Sequence, residues 1–154
     1  MTLDWTDIVF RLGAAAASGV ILGINRDLQN KPIGSRTLGL VALGSAVVAV
    51  ATIQFPGMTD HPDAASRVVQ GVIQGVMAGI SFIGAGVILR DSRQQSVQGL
   101  TTAATVWVAA AVGIACGFAM WRTVAAAVAI ALVLLVMVAW IERVIEKIAR
   151  DRAP

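Results

Sequence analysis

The acidic side chains are the groups of this chain best suited to binding a metal ion. All nine carboxylates lie in loops or near the ends of apolar segments: Asp4, Asp7, Asp27, Asp60, Asp63, Asp91, Glu142, Glu146 and Asp151. A hard divalent cation prefers oxygen ligands, usually one or two carboxylates among retained waters. We therefore expect no metal site in the middle of an apolar segment. A cation transporter would have to rely on backbone carbonyls and threonine hydroxyls, as some channels do.

Few residues of this chain are suited to enzymatic catalysis. The one histidine, His61, lies in a loop, and the one cysteine, Cys116, lies inside an apolar run. We interpret the histidine as solvated and the cysteine as a packing residue. The glycines Gly84 and Gly86 resemble those of phosphate-binding loops, but no lysine follows at the required spacing. The sequence therefore predicts neither an enzyme nor a bound cofactor.

Polar residues recur at helical spacing in the middle of the chain. Gln70, Gln74 and Ser81 share one face, and Arg67 lies one turn before Gln70. The following apolar segment opens with three threonines: Thr101, Thr102 and Thr105. These hydroxyls can bond their own backbone carbonyls or the glutamines of the preceding segment. Two interpretations stay open: hydrogen bonding between helices, or a polar crevice that opens to the cytoplasm or binds a partner.

The elements that position these residues are apolar helices. Of the 154 residues, 57% are apolar and 14% are charged, against roughly 25% charged residues in soluble proteins. Long charge-free runs each hold a span of about 20 residues. We predict an all-α integral membrane protein, a bundle of about five transmembrane helices within residues 1–141. The helices are expected near residues 8–24, 37–55, 68–89, 100–120 and 123–141. Residues 142–154 are expected to form a short basic cytoplasmic tail.

The basic residues predict the orientation of this bundle. Nine lie on one side: Arg26, Lys31, Arg36, Arg90, Arg93, Arg143, Lys147, Arg150 and Arg152. Three lie on the other side, namely Arg11, Arg67 and Arg122. Because cytoplasmic loops carry the excess of Lys and Arg, the N-terminus is expected outside and the C-terminus in the cytoplasm. Arg11, within the first apolar run, is expected to extend toward the headgroups. No basic stripe follows a polar helix, so nucleic acid is not an expected partner.

Small residues recur every fourth position in two segments. One stripe is Ala15, Gly19 and Gly23, and the other is Gly71, Gly75 and Gly79. Such stripes let helix backbones approach closely in lipid. They predict either helix packing within the chain or a homo-oligomer, and the sequence does not separate the two.

Two segments resemble signatures of the MgtC/SapB family of membrane proteins. The first is RDLQNKPIGSRTLGLVALGS at residues 26–45. The second combines FIGAGVILR at residues 82–90 with GLTTAATVW at residues 99–107. The resemblance covers the region from about Gly19 to Gly117 and identifies the chain with the N-terminal transmembrane domain of the family.

This resemblance implies a multi-pass protein of the bacterial inner membrane, connected with growth at low magnesium and, in pathogens, with virulence. It implies a regulatory or interaction protein with the ATP synthase as partner. The alternatives are a transporter or channel for Mg²⁺ or another ion, and a structural membrane protein with no ion role. The positions that match the family are Arg26, Lys31, Gly34, Arg36, Thr37, Gly44, Phe82, Gly84, Gly86, Gly99, Thr101, Thr102 and Trp107.

The chain departs from the family at two positions. Asn25 stands where the family usually has a glutamate, which removes a carboxylate and leaves an amide. Arg67 lies about one helical turn earlier than the corresponding family arginine, which preserves the helix face. The remaining candidates, Arg90 and Asp91, end the third apolar run beside the first linker. We expect a polar edge at the cytoplasmic face, where the two segments meet. Its members are Asn25, Arg26, Asp27, Lys31, Arg36, Arg90 and Asp91. Three interpretations stay open: a network of ion pairs, a docking surface, or charge that only anchors the orientation.

Overall fold

The computed structural model describes residues 3–55, 62–91 and 96–138. Within these residues the chain forms five α-helices and one short β-hairpin. The helices are α1 (Trp5–Leu28), α2 (Ser35–Ile53), α3 (Pro62–Gly86), α4 (Leu100–Gly117) and α5 (Trp121–Val133). The strands β1 (Leu89–Asp91) and β2 (Ser96–Gln98) pair antiparallel between α3 and α4. The expected all-α helical bundle is confirmed, with the hairpin as an addition.

Four of the described helices are long and apolar enough to cross a membrane: Trp5–Leu28, Ser35–Ile53, Asp63–Gly86 and Leu100–Gly117. A fifth apolar segment, Trp121–Met137, is shorter. It consists of α5 followed by a π-helical segment, Leu134–Val138. Four long apolar helices make this chain a multi-pass membrane protein. The end of the fifth predicted span, the predicted tail and His61 lie outside the described residues.

Helix α1 extends beyond the predicted range of 8–24 at both ends. It begins after Asp4, whose backbone is extended, and the Ile8 N–H donates to the Asp4 carbonyl at 3.1 Å. At the other end, the N–H groups of Gln29 and Lys31 both donate to the Arg26 carbonyl. Asn30 has a φ of 51°, a left-handed conformation that turns the chain toward α2. These capping bonds accompany a helix that ends at Leu28, one turn past the predicted end at residue 24.

The core of the bundle lies where α1, α2 and α4 meet with their backbones close together. A Cβ atom on Gly19 or Gly23 of α1 would overlap the backbone of α2. A Cβ on Gly113 of α4 would overlap the backbone of α2 at Ala42. Ala15 and Cys116 are fully buried in the same core, which confirms the cysteine as a packing residue. The first stripe of small residues therefore serves helix packing within the chain.

Helix α3 differs from the prediction in its ends and its packing. It covers Pro62–Gly86 rather than residues 68–89, because the last three predicted residues leave the helix and lead into β1. Gly84 is buried and lies close to Ala103 of α4. Along the second stripe, a Cβ on Gly71, Gly75 or Gly79 would meet no atom within 4 Å. This stripe is therefore open, in contrast to the stripe on α1.

Candidate functional site at the contact between helices α1 and α4

Arg26 is the centre of the candidate site. It lies in the last turn of α1 and is 4% exposed. Its Nε donates to the Ile33 carbonyl and its Nη2 to the Pro32 carbonyl, both at 3.3 Å. Nη2 also donates to the Thr102 hydroxyl in the first turn of α4. One buried guanidinium therefore joins the end of α1, the linker to α2 and the start of α4.

The bond between Arg26 and Thr102 also joins the two sequence segments that were singled out separately. Arg26 opens the first segment and Thr102 belongs to the second, 76 positions later. Thr102 is 3% exposed, so this contact lies inside the protein. The expectation that the two segments meet at one face of the bundle holds for these two residues.

The start of α4 depends on Gly99, another of the predicted site residues. Gly99 precedes α4 with a φ of 90°, a left-handed conformation that side chains disfavour. A Cβ atom at this position would also overlap the Val87 carbonyl oxygen. Gly99 is thus required by the sharp change of direction from β2 into α4. This turn places Thr102 in reach of Arg26.

The linker between α1 and α2 is held by Asp27. Its Oδ2 accepts a hydrogen bond of 3.0 Å from the Ser35 N–H, at the first residue of α2. A carboxylate at the N-terminus of a helix pairs with free N–H groups and with the positive end of the helix dipole. A side chain on Gly34 would overlap this carboxylate. Asp27 therefore holds in place the linker whose Pro32 and Ile33 carbonyls accept hydrogen bonds from Arg26.

Asn25, one of the two departures from the family pattern, faces the π-helical segment that follows α5. Its Nδ2 lies 3.5 Å from the Leu135 carbonyl, at the outer limit of hydrogen-bond distance. Its Oδ1 accepts a 3.1 Å bond from Gln29 Nε2. A carboxylate at this position would have no hydrogen to donate to a carbonyl. The amide is thus suited to the π-helical segment that follows α5.

The site is electropositive. Arg26, Lys31 and Arg36 outnumber the one carboxylate, Asp27. Arg26 lies at the negative end of the α1 dipole and reaches the positive end of the α4 dipole, so the two dipole ends oppose each other there. Lys31 and Arg36 lie nearby in the chain and are exposed. Among the described residues, no group of three or more His, Cys, Asp or Glu side chains lies together.

Arg90 and Asp91 lie in β1, where their backbones pair with Val97 and Ser96. Their side chains lie outside what the structure describes.

The other predicted site residues are not part of this cluster. Arg67, Gln74 and Phe82 are exposed along α3, and Phe82 is 84% exposed. Trp107 is exposed in the middle of α4, and a Cβ on Gly86 would meet no atom. Thr37 lines a groove of about 420 Å³ between α2 and α3. Thr101 is exposed, and its carbonyl accepts a 2.7 Å bond from the Thr105 hydroxyl.

The threonines of α4 do not bond to the glutamines of α3. Thr105 bonds to its own helix, and Thr102 accepts from Arg26. Gln70 and Gln74 instead lie on the exposed side of α3. The Thr105 hydroxyl therefore bonds to its own backbone, which is one of the two predicted arrangements. Thr102 pairs with Arg26, a partner that was not predicted.

Arg11 has a contact that the sequence analysis missed. Its Nη1 donates to the Gly117 carbonyl at the end of α4 at 2.8 Å, and its Nη2 lies 2.7 Å from Asp7 Oδ2. The side chain is 12% exposed, so it is largely enclosed by protein, and its extension toward the headgroups stays a prediction. A cation at the C-terminal end of a helix pairs with free carbonyls and the negative end of the dipole. The i, i+4 spacing of Asp7 and Arg11 was the available signal.

Comparison with known proteins gives one consistent result. The profile of the MgtC family matches residues 12–144. Protein SrpB of Synechococcus elongatus is 42% identical over 125 residues, which cover 77% of this chain and 68% of that protein. Protein SapB of Bacillus subtilis is 34% identical over 99% of this chain and 65% of its own length.

Protein MgtC of Salmonella typhimurium is 36% identical over 124 residues, which cover 80% of this chain. The match spans about half of that protein, 49% of its length. No solved structure matches the chain significantly. The family profile covers most of the chain, and it includes Arg26, Gly99 and Thr102. The chain therefore belongs to the MgtC family.

Proposed function

We propose that this chain is a regulatory protein of magnesium homeostasis in the bacterial inner membrane, and that it acts by contacting another membrane protein. The family's implied link with growth at low magnesium supports the first part, and its implied partner is the ATP synthase. The observation that carries the second part is the buried bond between Arg26 and Thr102. This bond holds α1 and α4 together at one end of the bundle, where Lys31 and Arg36 are exposed.

The charge of this end favours an interaction role over cation transport. A Mg²⁺ ion is repelled by the positive charges of Arg26, Lys31 and Arg36, whereas an acidic partner is attracted. Asp27, the carboxylate beside Arg26 in the sequence, already accepts a bond from the Ser35 N–H. These features support a docking surface for a partner with acidic groups.

We further propose that the Arg26 end of the bundle lies in the cytoplasm and that the N-terminus lies outside. The support is the count of nine basic residues against three on the two sides of the predicted topology. A fluorescent protein fused after Pro154 is expected to be bright, because it folds in the cytoplasm. A periplasmic phosphatase fused at the same point is expected to be inactive. Active phosphatase with a dark fluorescent fusion would reverse the orientation.

Growth of a deletion strain in limiting and abundant magnesium tests the proposed role. The intact gene is expected to restore growth in limiting magnesium. A gene carrying both Lys31→Glu and Arg36→Glu is expected to fail, since the exposed surface would then repel an acidic partner. Arg122→Glu is the control, because Arg122 is also exposed but lies at the start of α5. Immunoblots of membranes establish that all variants accumulate equally.

Three outcomes would count against the proposal. Equal growth of the deletion strain at every magnesium level removes the link with magnesium. Full rescue by the charge-reversed gene removes the docking surface. Uptake of Mg²⁺ into liposomes that contain only this purified chain would favour the transporter alternative.

A further inference from the structure

Helix α3 exposes a face that is unusual for a helix in lipid. Its members are polar or small and recur at helical spacing: Gln70, Gly71, Gln74, Ala78, Ser81 and Ala85. We call these six residues the outer face of α3. All six are exposed, while Gly84, on another side of the helix, is buried near Ala103 of α4. The outer face therefore points away from the rest of the bundle.

The two glutamines of this face lie deep in the membrane. Gln74 is 12 residues from either end of Pro62–Gly86. At about 1.5 Å per residue, it lies about 18 Å from each end. The hydrocarbon core of a bilayer is about 30 Å thick, so Gln74 lies near its middle. Gln70 is one turn away, still within hydrocarbon.

An amide at this depth needs a hydrogen-bond partner, because lipid tails offer none. The Ser81 hydroxyl has one, the Met77 carbonyl of its own helix at 2.8 Å. Neither glutamine side chain bonds to another residue in the part of the chain that the structure describes. The outer face thus combines small residues, which allow close backbone approach, with amides that need a partner.

We propose that the outer face of α3 binds the same face of a second copy of this chain, about a two-fold axis along the membrane normal. Such an axis places each residue opposite its own copy at the same depth. An amide suits this arrangement because it both donates and accepts, so two facing glutamines satisfy each other. A two-fold interface is self-complementary in this way. The proposal stands independently of the role in magnesium homeostasis.

The charges near this face determine where the two helices approach. Arg67 is exposed, five residues from the start of α3, and Asp63 is exposed in the first turn. Two copies of Arg67 would repel each other if the helices ran parallel at that level. A crossing near Gly71, Gln74 and Ala78 separates the two arginines toward the headgroups, where they are solvated. Right-handed crossings through small residues have this geometry.

Cysteine cross-linking in membranes tests which face meets the partner. In a Cys116→Ala background, Ala78→Cys is expected to form a disulfide-linked dimer on mild oxidation. The matched control is Ile73→Cys, one residue from Gln74 and about 100° away around the helix. Ile73 is also exposed. Cross-linking of the control alone, or to a different protein, would overturn the proposal.

Oligomeric state in vesicles of phosphatidylethanolamine and phosphatidylglycerol provides a test without added cysteines. Single-molecule photobleaching of a labelled chain is expected to show dimers. Replacing both Gln70 and Gln74 with leucine is expected to weaken the dimer by about tenfold or more, since each amide pair contributes modestly in lipid. The control Ile73→Leu is expected to leave it unchanged. Monomers in the wild type, or dimers unaffected by the double replacement, would overturn the proposal. Circular dichroism checks that each variant is folded.

Discussion

Replacing Arg26 with alanine is expected to lower the free energy of unfolding by about 3 kcal/mol or more, since a buried charged donor that serves several acceptors is removed. The carbonyls of Pro32 and Ile33 and the Thr102 hydroxyl would each lose their bond from Arg26. Arg26→Lys is expected to recover only part of the loss, because an ammonium lacks the planar fork of the guanidinium. Unfolding in mixed detergent micelles measures the difference.

The control is Arg36→Ala, which removes an equal charge from an exposed position in the first turn of α2. It is expected to change the free energy of unfolding by less than about 0.5 kcal/mol. A double-mutant cycle with Thr102→Val isolates the contact between α1 and α4, and the coupling is expected to be about 1.5 kcal/mol or more. If Arg26→Ala and Arg36→Ala prove equally stable, Arg26 does not hold this end of the bundle together.

Gly113→Ala is expected to destabilise the bundle by about 3 kcal/mol, the upper range for overpacking a core. The added Cβ would overlap the backbone of α2 at Ala42, which cannot move aside as a flexible side chain can. Either α4 shifts away from α2, or the backbone of both helices distorts. The thermal midpoint of the purified protein in detergent is therefore expected to fall.

Gly13→Ala is the matched control because a Cβ at Gly13 would meet no atom within 4 Å. Alanine favours a helix over glycine by about 1 kcal/mol, so this variant is expected to be as stable as the wild type or slightly more so. A loss of stability of similar size in both variants would show that the close contact between α2 and α4 at Gly113 does not determine the effect.

Most of the fold follows from features that a single sequence contains. Long apolar runs without charge determine where helices lie, because each backbone N–H and C=O must be satisfied inside the same segment in lipid. Each predicted range therefore overlaps one described helix, in the same order along the chain. Their ends differ because caps are local hydrogen bonds, such as those from Gln29 and Lys31 to the Arg26 carbonyl. The β-hairpin after α3 is too short to show a periodicity.

The sequence predicted which residues belong to the candidate site better than it predicted which of them bond to each other. Arg26 and Thr102 were both singled out by their place in recognisable segments, but nothing in the spacing showed that one donates to the other. The same holds for Asn25, whose contact at the Leu135 carbonyl spans 110 positions. Residues such as Phe82 and Trp107 were grouped with the site by resemblance, yet they are exposed on other parts of the bundle.

The order of residues is enough to predict an all-α membrane protein whose charged groups lie mostly at the helix ends, and to recognise its family. Which small residues are used for packing depends on the folded arrangement of the helices. The stripes on α1 and α3 have the same spacing, but Gly19 and Gly23 contact α2 while Gly71, Gly75 and Gly79 are open. Spacing along one helix determines a face, whereas the partner of that face depends on how all the helices pack.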